Sequence, residues 1–163
     1  MEIHPKTRIG HVHLTVSNLD KSLEFYHDLL GFDITTRYGD SAVFLSAGGY
    51  HHHIGLNTWQ GEGVPPQPQG HAGLYHFAIL YPKRVELARV FKRLIDEKYP
   101  IEGASDHGVS EAIYLRDPDN IGVELYWDRP KSKWPKDENG KLTMFTYMLD
   151  IEDLLGELAS KKV

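Results

Sequence analysis

The chain has 163 residues, of which 40% are hydrophobic and 11% aromatic, so it can bury a sizeable core without stabilising cross-links. It contains no cysteine, which excludes disulfides and thiolate metal ligands. The net charge of −5 with scattered basic residues argues against nucleic acid, and we expect a cytoplasmic protein because neither a signal peptide nor a membrane-spanning run is evident.

In the first half of the chain, the spacing of apolar residues predicts a strand at 9–16, then a helix and three further strands. Capping side chains at 17–20 precede the helix, and Gly31 ends it. Gly39 and Asp40 give a hairpin signal. The three later strands are predicted near 32–38, 41–47 and 53–59.

The second half repeats this order after a linker at 60–71 that is rich in glycine and proline. The turn sequence at 117–120 joins the last two strands. The predicted elements are a strand at 73–80, a helix at about 83–98, and strands near 101–105, 110–116 and 121–127. The tail at 129–163 holds an exposed loop, a strand candidate at Thr143–Met148 and a helix at about 150–160.

Matching residues open the two halves. His76 follows His11 by 65 residues, and Glu124 follows Gly55 by 69 on the last strand of each half. Such self-similarity indicates a duplicated β-α-β-β-β module. We therefore predict one α+β domain over 1–163, with modules at about 9–60 and 72–128 and a C-terminal helical tail.

Three residues in the predicted strands have the chemistry of metal ligands. His11, His76 and Glu124 supply two imidazoles and one carboxylate, the ligand set of a metal site that keeps open coordination positions. His13 is a nearby competitor, because it lies two residues after His11 on the same strand face.

The stretch from His107 to Tyr126, HGVSEAIYLRDPDNIGVELY, carries a resemblance to a known family. Over roughly 9–130 the chain resembles the vicinal oxygen chelate superfamily, which includes glyoxalases, bleomycin-resistance proteins and dioxygenases. Within it, the chain is most similar to type I extradiol (catechol 2,3-dioxygenase-like) enzymes. The resemblance implies that the paired modules curl into an open, mixed β-barrel around a divalent metal.

The resemblance also implies the site. His11, His76 and Glu124 would hold Fe(II), or Mn(II) or another divalent metal, and the substrates would be a small aromatic diol and O2. His52 would be the acid/base, and the pair His107 and Tyr114 would hydrogen-bond the substrate. Many such enzymes have four modules, whereas this chain has two.

Strand alternation conflicts with one of these assignments. It puts His51 and His53, rather than His52, on the face of Gly55. A β-bulge would reconcile the two, so the identity of the acid/base among the three histidines stays open.

Two other functions remain open. A glyoxalase I-like or epimerase-like lyase or isomerase is the first, although those enzymes carry a fourth side-chain ligand where this chain has Gly55. A metal-free drug-binding resistance protein is the second, and retention of all three ligand types weighs against it. The tail at 129–163 could cover the pocket mouth, cover a sheet edge or form a homodimer.

Overall fold

The computed structural model describes residues 2–68 and 70–159. The chain divides into two compact units, the first ending at residue 69 and the second beginning at Gly70. Each combines one mixed sheet with helices, which confirms the predicted α+β class. That both modules form a single domain stays a prediction. Within the described ranges, no helix has the length and apolar character that crossing a bilayer requires.

The first unit has a four-stranded sheet in the order β1-β4-β3-β2, with β1 parallel to β4. Its elements are β1 (Val12–Thr15), α1 (Leu19–Leu23) continued by a π-helical stretch (Glu24–Leu29), β2 (Asp33–Tyr38), β3 (Ala42–Ser46) and β4 (Ile54–Asn57). The Asn18 side chain accepts from the Lys21 backbone N–H at 2.9 Å and so caps α1. Fully buried Val16, Tyr26 and Leu56 belong to its core.

The second unit has a five-stranded sheet in the order β5-β8-β7-β6-β9. Its elements are β5 (Phe77–Leu80), α2 (Arg84–Asp96), β6 (Ile101–Asp106), β7 (Ser110–Arg116), β8 (Gly122–Asp128), a 3₁₀ turn (Lys131–Lys133), β9 (Tyr147–Met148) and α3 (Ile151–Gly156). Leu87 and Leu94 of α2 are fully buried, as are Ile113 and Leu125 of the sheet. The apolar side of α2 therefore contributes to this unit's core.

The predicted duplication is confirmed by strand order and register. Within each unit the first strand pairs in parallel with the last, His13 opposite Gly55 and Ala78 opposite Glu124. The turn before the last strand of the second unit is fixed by Asp117, whose side chain accepts from the backbone N–H of residues 119 and 121. Two copies of one β-α-β-β-β module thus carry the two halves of the chain.

Element ends differ from the prediction at the candidate ligands and in the tail. His11 and His76 lie immediately before β1 and β5 rather than within them. The strand predicted at Thr143–Met148 shrinks to β9, because the Thr143 N–H donates to the Pro135 carbonyl instead of a sheet partner. The final helix has turns that continue to residue 159, and the predicted end at residue 160 lies outside the described residues.

The tail covers one edge of the second sheet. Strand β9 pairs with β6, and α3 is tied to α2 through Arg84, which bonds Asp153 at 2.7 Å. Arg84 also bonds Glu111 at 2.7 Å, and the second Glu111 oxygen accepts from Arg129, again at 2.7 Å. The Glu111 side chain is 2% exposed, so its two guanidinium partners offset the cost of burying its charge. Covering a sheet edge, one of the tail roles left open by the sequence, is therefore observed.

Candidate metal centre

His76 and Glu124 meet in the second unit. Glu124 lies on β8 opposite Ala78 of β5, and His76 is two residues before Ala78, so both side chains share one face. The His76 Nε2 atom is 2.9 Å from Glu124 Oε2, with side-chain exposures of 31% and 13%. This part of the predicted ligand set is therefore brought together by strand register.

Gly122 permits the approach of the chain that carries His76. A Cβ atom at Gly122 would overlap the Tyr75 carbonyl oxygen and lie 2.9 Å from the Cβ of His76. Any larger residue would push this segment away from β8. The glycine at the start of β8 is thus part of the geometry of the centre.

Tyr114 and His107 extend the pair into a hydrogen-bonded chain. The Tyr114 hydroxyl, on β7 opposite Glu124, is 3.4 Å from Glu124 Oε1 and 2.7 Å from His107 Nε2. Burial and then the negative charge of Glu124 raise the pKa of Tyr114 to about 12. The hydroxyl therefore keeps its proton at neutral pH and acts as a donor.

A cavity of about 250 Å³ lies beside this chain of side chains. It is lined by residues from five segments of the second unit, including Tyr75, His76, His107, Tyr114, Arg116 and Thr146. Imidazole, phenol and guanidinium groups converge there on a small open volume. Such a mixture of polar groups is typical of a site for a small polar ligand.

In the first unit, the ring of His52 lies against His11. Their ring centroids are 4.4 Å apart, and His52 also contacts Phe44 edge-on at 5.1 Å. Phe44 is paired with Gly55, so His52 reaches the face that alternation denied it. Strand β4 begins only at Ile54, and residues 51–53 form a bend before it, so strand alternation alone does not assign the faces of these three histidines. Burial, then the charge of His11 and the neighbouring histidines, lowers the pKa of His52.

His53 and His51 make other contacts. The His53 Nδ1 atom is 3.0 Å from the Ser46 hydroxyl, and His51 Nδ1 is 2.7 Å from His52 Nδ1. The Tyr50 ring lies 4.0 Å from the His51 ring. Of these three histidines, His52 packs its ring against the ring of His11.

His13 fills the space beside Gly55. A Cβ atom built on Gly55 would lie 3.0 Å from two atoms of the His13 ring. The ring is held between Phe44 and Trp59, with centroid distances of 5.7 and 5.2 Å. In the second unit, the matching pair is small Ala78 and large Glu124. The bulky side chain of the pair therefore comes from the first strand in the first unit (His13) and from the last strand in the second unit (Glu124).

The donor chemistry of His76 and Glu124 fits a divalent cation. Two ligands about 2.1 Å from an ion and at right angles to each other are roughly 3 Å apart, close to the 2.9 Å between this nitrogen and oxygen. Over residues 2–68 and 70–159, no three His, Asp or Glu side chains form a group that could hold a metal. His11, the predicted third ligand, belongs to the first unit, and its role stays a prediction.

Two contacts of His107 were not predicted from the sequence. The Phe145 carbonyl oxygen is 3.0 Å from His107 Nδ1, and the Thr146 hydroxyl is 3.3 Å from the same atom. Both come from the tail, nearly forty residues after His107, and no spacing rule links positions so far apart. The signal that could have indicated them is Gly108, because a residue without a Cβ atom leaves room for the Phe145 ring to pack on its backbone.

Comparison with known proteins agrees with this geometry. A family model described as the glyoxalase/bleomycin resistance protein/dioxygenase superfamily matches residues 8–125. The chain belongs to this superfamily. The match stops before the tail.

Curated relatives include ring-cleaving enzymes. The chain is 42% identical over 160 residues to catechol-2,3-dioxygenase of Bacillus subtilis (strain 168), covering 98% of this chain and 55% of that protein. It is 31% identical to biphenyl-2,3-diol 1,2-dioxygenase 3 of Rhodococcus globerulus, covering 74% of this chain and 63% of that protein. The chain thus spans little more than half the length of these two relatives.

The superfamily is functionally mixed. The chain is 28% identical to a probable lactoylglutathione lyase of Vibrio cholerae, covering 72% of this chain and 88% of that protein. A crystal structure of a glyoxalase/dioxygenase from Nostoc punctiforme matches with a TM-score of 0.65 at 18% identity, covering 80% of this chain and 98% of the other. At that identity the likeness concerns the fold alone.

Proposed function

We propose that the protein is a metal-dependent ring-cleaving dioxygenase that opens a catechol-type diol with O2 outside the two hydroxyl groups. His11, His76 and Glu124 are the proposed metal ligands. Similarity to the catechol-2,3-dioxygenase and the biphenyl-diol dioxygenase supports the reaction class. The proximity of His76 to Glu124 supports a metal centre in the second unit.

The observation that carries the proposal over a lyase is the pairing of His13 with Gly55. A glyoxalase-like isomerase would carry a fourth side-chain ligand at position 55. Here that position has no side chain, and the His13 ring occupies the adjacent space at 3.0 Å from where a Cβ would lie. A centre with three ligands keeps more open positions, which suits a diol together with O2.

When bound, the divalent ion supplies positive charge and adjacent vacant positions for two substrates. The protein's own groups do the rest. Tyr114 and His107, linked at 2.7 Å, hydrogen-bond the substrate and orient it along the cavity beside His76. His52 is the proposed base that takes a proton from a catechol hydroxyl and returns it later.

The metal is proposed as Fe(II) first and Mn(II) second. Imidazole and carboxylate ligands accept both ions, and availability decides between them as much as affinity. One relative, from Geobacillus genomosp. 3 and 30% identical over 143 residues, is named a manganese-dependent 2,3-dihydroxybiphenyl 1,2-dioxygenase. Both ions therefore belong in the test.

The experiment is reconstitution with Fe(II) or Mn(II) under anaerobic conditions, followed by a panel of catechols with and without O2. With O2, we expect a yellow ring-cleavage product and consumption of one O2 per diol. Without O2, we expect no product. A parallel assay with the hemithioacetal of methylglyoxal and glutathione tests the lyase alternative. Turnover of the hemithioacetal without O2, and none of any catechol, would overturn the proposal.

A further inference from the structure

We propose that the tail is part of the active site: Phe145 positions His107 and selects its tautomer. This inference rests on the proposed function for its catalytic meaning. The tautomer assignment depends only on the contacts of His107. The family match ends at residue 125, so Phe145 lies outside what the superfamily match covers.

The tautomer follows from the partners of the two ring nitrogens. His107 Nδ1 lies 3.0 Å from the Phe145 carbonyl oxygen, which can only accept a hydrogen bond. Nδ1 must therefore carry the hydrogen. In the neutral ring this leaves Nε2 as an acceptor, 2.7 Å from the Tyr114 hydroxyl.

The tautomer in turn directs the Tyr114 hydroxyl. A phenol has one hydrogen, and of its two acceptors His107 Nε2 is nearer, at 2.7 Å, than Glu124 Oε1, at 3.4 Å. Tyr114 therefore donates to His107, and its oxygen lone pairs can accept from a substrate hydroxyl. The opposite tautomer would make His107 the donor and turn the Tyr114 hydrogen toward Glu124.

Packing fixes Phe145 in the place where its carbonyl meets His107. A Cβ atom at Gly108 would come within 2.7 Å of the Phe145 ring and 2.8 Å of the Pro135 ring, so both rest directly on that glycine. The Phe145 ring also stacks on Tyr147, with centroids 4.4 Å apart. Tyr147 begins β9, which pairs with Asp106 next to His107.

The test is a tautomer measurement on the metal-free protein labelled with ¹⁵N-histidine. Long-range ¹H-¹⁵N spectra distinguish protonated from unprotonated ring nitrogens, and the His107→Gln variant assigns the signals. We expect hydrogen on Nδ1 and none on Nε2 in the unaltered protein. Hydrogen on Nε2 would overturn the proposal without any further variant.

Variants then test Phe145 itself. Phe145→Ala removes the ring that rests on Gly108, and we expect a mixture of both tautomers, while Phe145→Leu keeps apolar contact and restores one. Met148→Ala, at a residue 92% exposed, is the matched control and should leave the spectrum unchanged. An unchanged single tautomer in Phe145→Ala, or a mixture in Met148→Ala, would overturn the role of Phe145.

Steady-state kinetics of the reconstituted enzyme give the catalytic arm. We expect Phe145→Ala to lower kcat by at least about tenfold, with KM little changed, because substrate binding survives while the Tyr114 hydrogen is no longer held toward His107. Equal kcat in Phe145→Ala and the unaltered enzyme would contradict the positioning role. Absence of ring cleavage in the unaltered enzyme would instead refute the proposed function, and the tautomer result would stand.

Discussion

Substitution of Gly122 by alanine tests whether the close passage of the chain before β5 holds the metal centre together. The added methyl group would overlap the Tyr75 carbonyl oxygen, a backbone atom that cannot rotate away, and would lie 2.9 Å from the Cβ of His76. The segment must shift outward to restore ordinary contact. Because His76 is carried on that segment, its distance of 2.9 Å to Glu124 must grow.

The expected cost has two parts. Overpacking of this kind lowers the free energy of unfolding by about 1–3 kcal/mol, measured by urea denaturation of the metal-free protein. A displaced ligand also weakens metal binding, and we expect the Kd for Mn(II), measured by titration calorimetry, to rise at least about tenfold. That factor corresponds to about 1.4 kcal/mol.

Gly103 provides a matched control in the same sheet. A Cβ there would meet nothing within 4 Å, and its φ is not in the left-handed region. Gly103→Ala should therefore raise the free energy of unfolding by about 0.5–1 kcal/mol, the ordinary gain from replacing glycine in a strand. Equal effects of the two substitutions, or unchanged Mn(II) affinity in Gly122→Ala, would refute the reasoning.

Three further predictions concern a buried charge, the Tyr114 hydroxyl and specificity. Glu111→Gln should lower the free energy of unfolding, measured by urea denaturation, by about 3 kcal/mol or more, because two guanidinium groups lose a buried anion. Glu86 forms an exposed ion pair with Arg89, so Glu86→Gln should lower the same free energy by no more than about 0.5 kcal/mol. Tyr114→Phe should lower kcat about 10²-fold with Mn(II) affinity little changed, in kinetics and calorimetry run side by side; a loss of metal binding alone would contradict the assigned role. His13→Ala combined with Gly55→Glu should still bind Mn(II) yet lose at least about tenfold of its ring-cleavage rate, since a carboxylate would take an open position; full retention of O2 uptake would contradict this account.

The sequence was sufficient for the two modules and for the proximity of two of the three proposed ligands. The repeat placed His76 at the start of the second unit and Glu124 on its last strand, and parallel pairing of β5 with β8 brings them to 2.9 Å. Alternation specifies the register of the two strands, because a slip of one residue would turn every side chain to the other face of the sheet. The register is therefore readable from the chain.

The sequence was insufficient where a segment leaves the regular strand. His52 reaches the face of Gly55 because residues 51–53 bend before β4, and alternation cannot describe a bend. The contact of Phe145 with His107 depends on how the tail folds back over Gly108. Tail packing of this kind arises from contacts distant in the chain, and local patterns do not specify it.

The most direct test of the account is anomalous diffraction from crystals of the Mn(II)- or Fe(II)-loaded protein, recorded at the absorption edge of the metal. We expect one strong peak at bonding distance from the side chains of residues 11, 76 and 124, with no protein atom from residue 55 near it. A peak bound by other side chains, or one that His11 does not reach, would contradict the central claim.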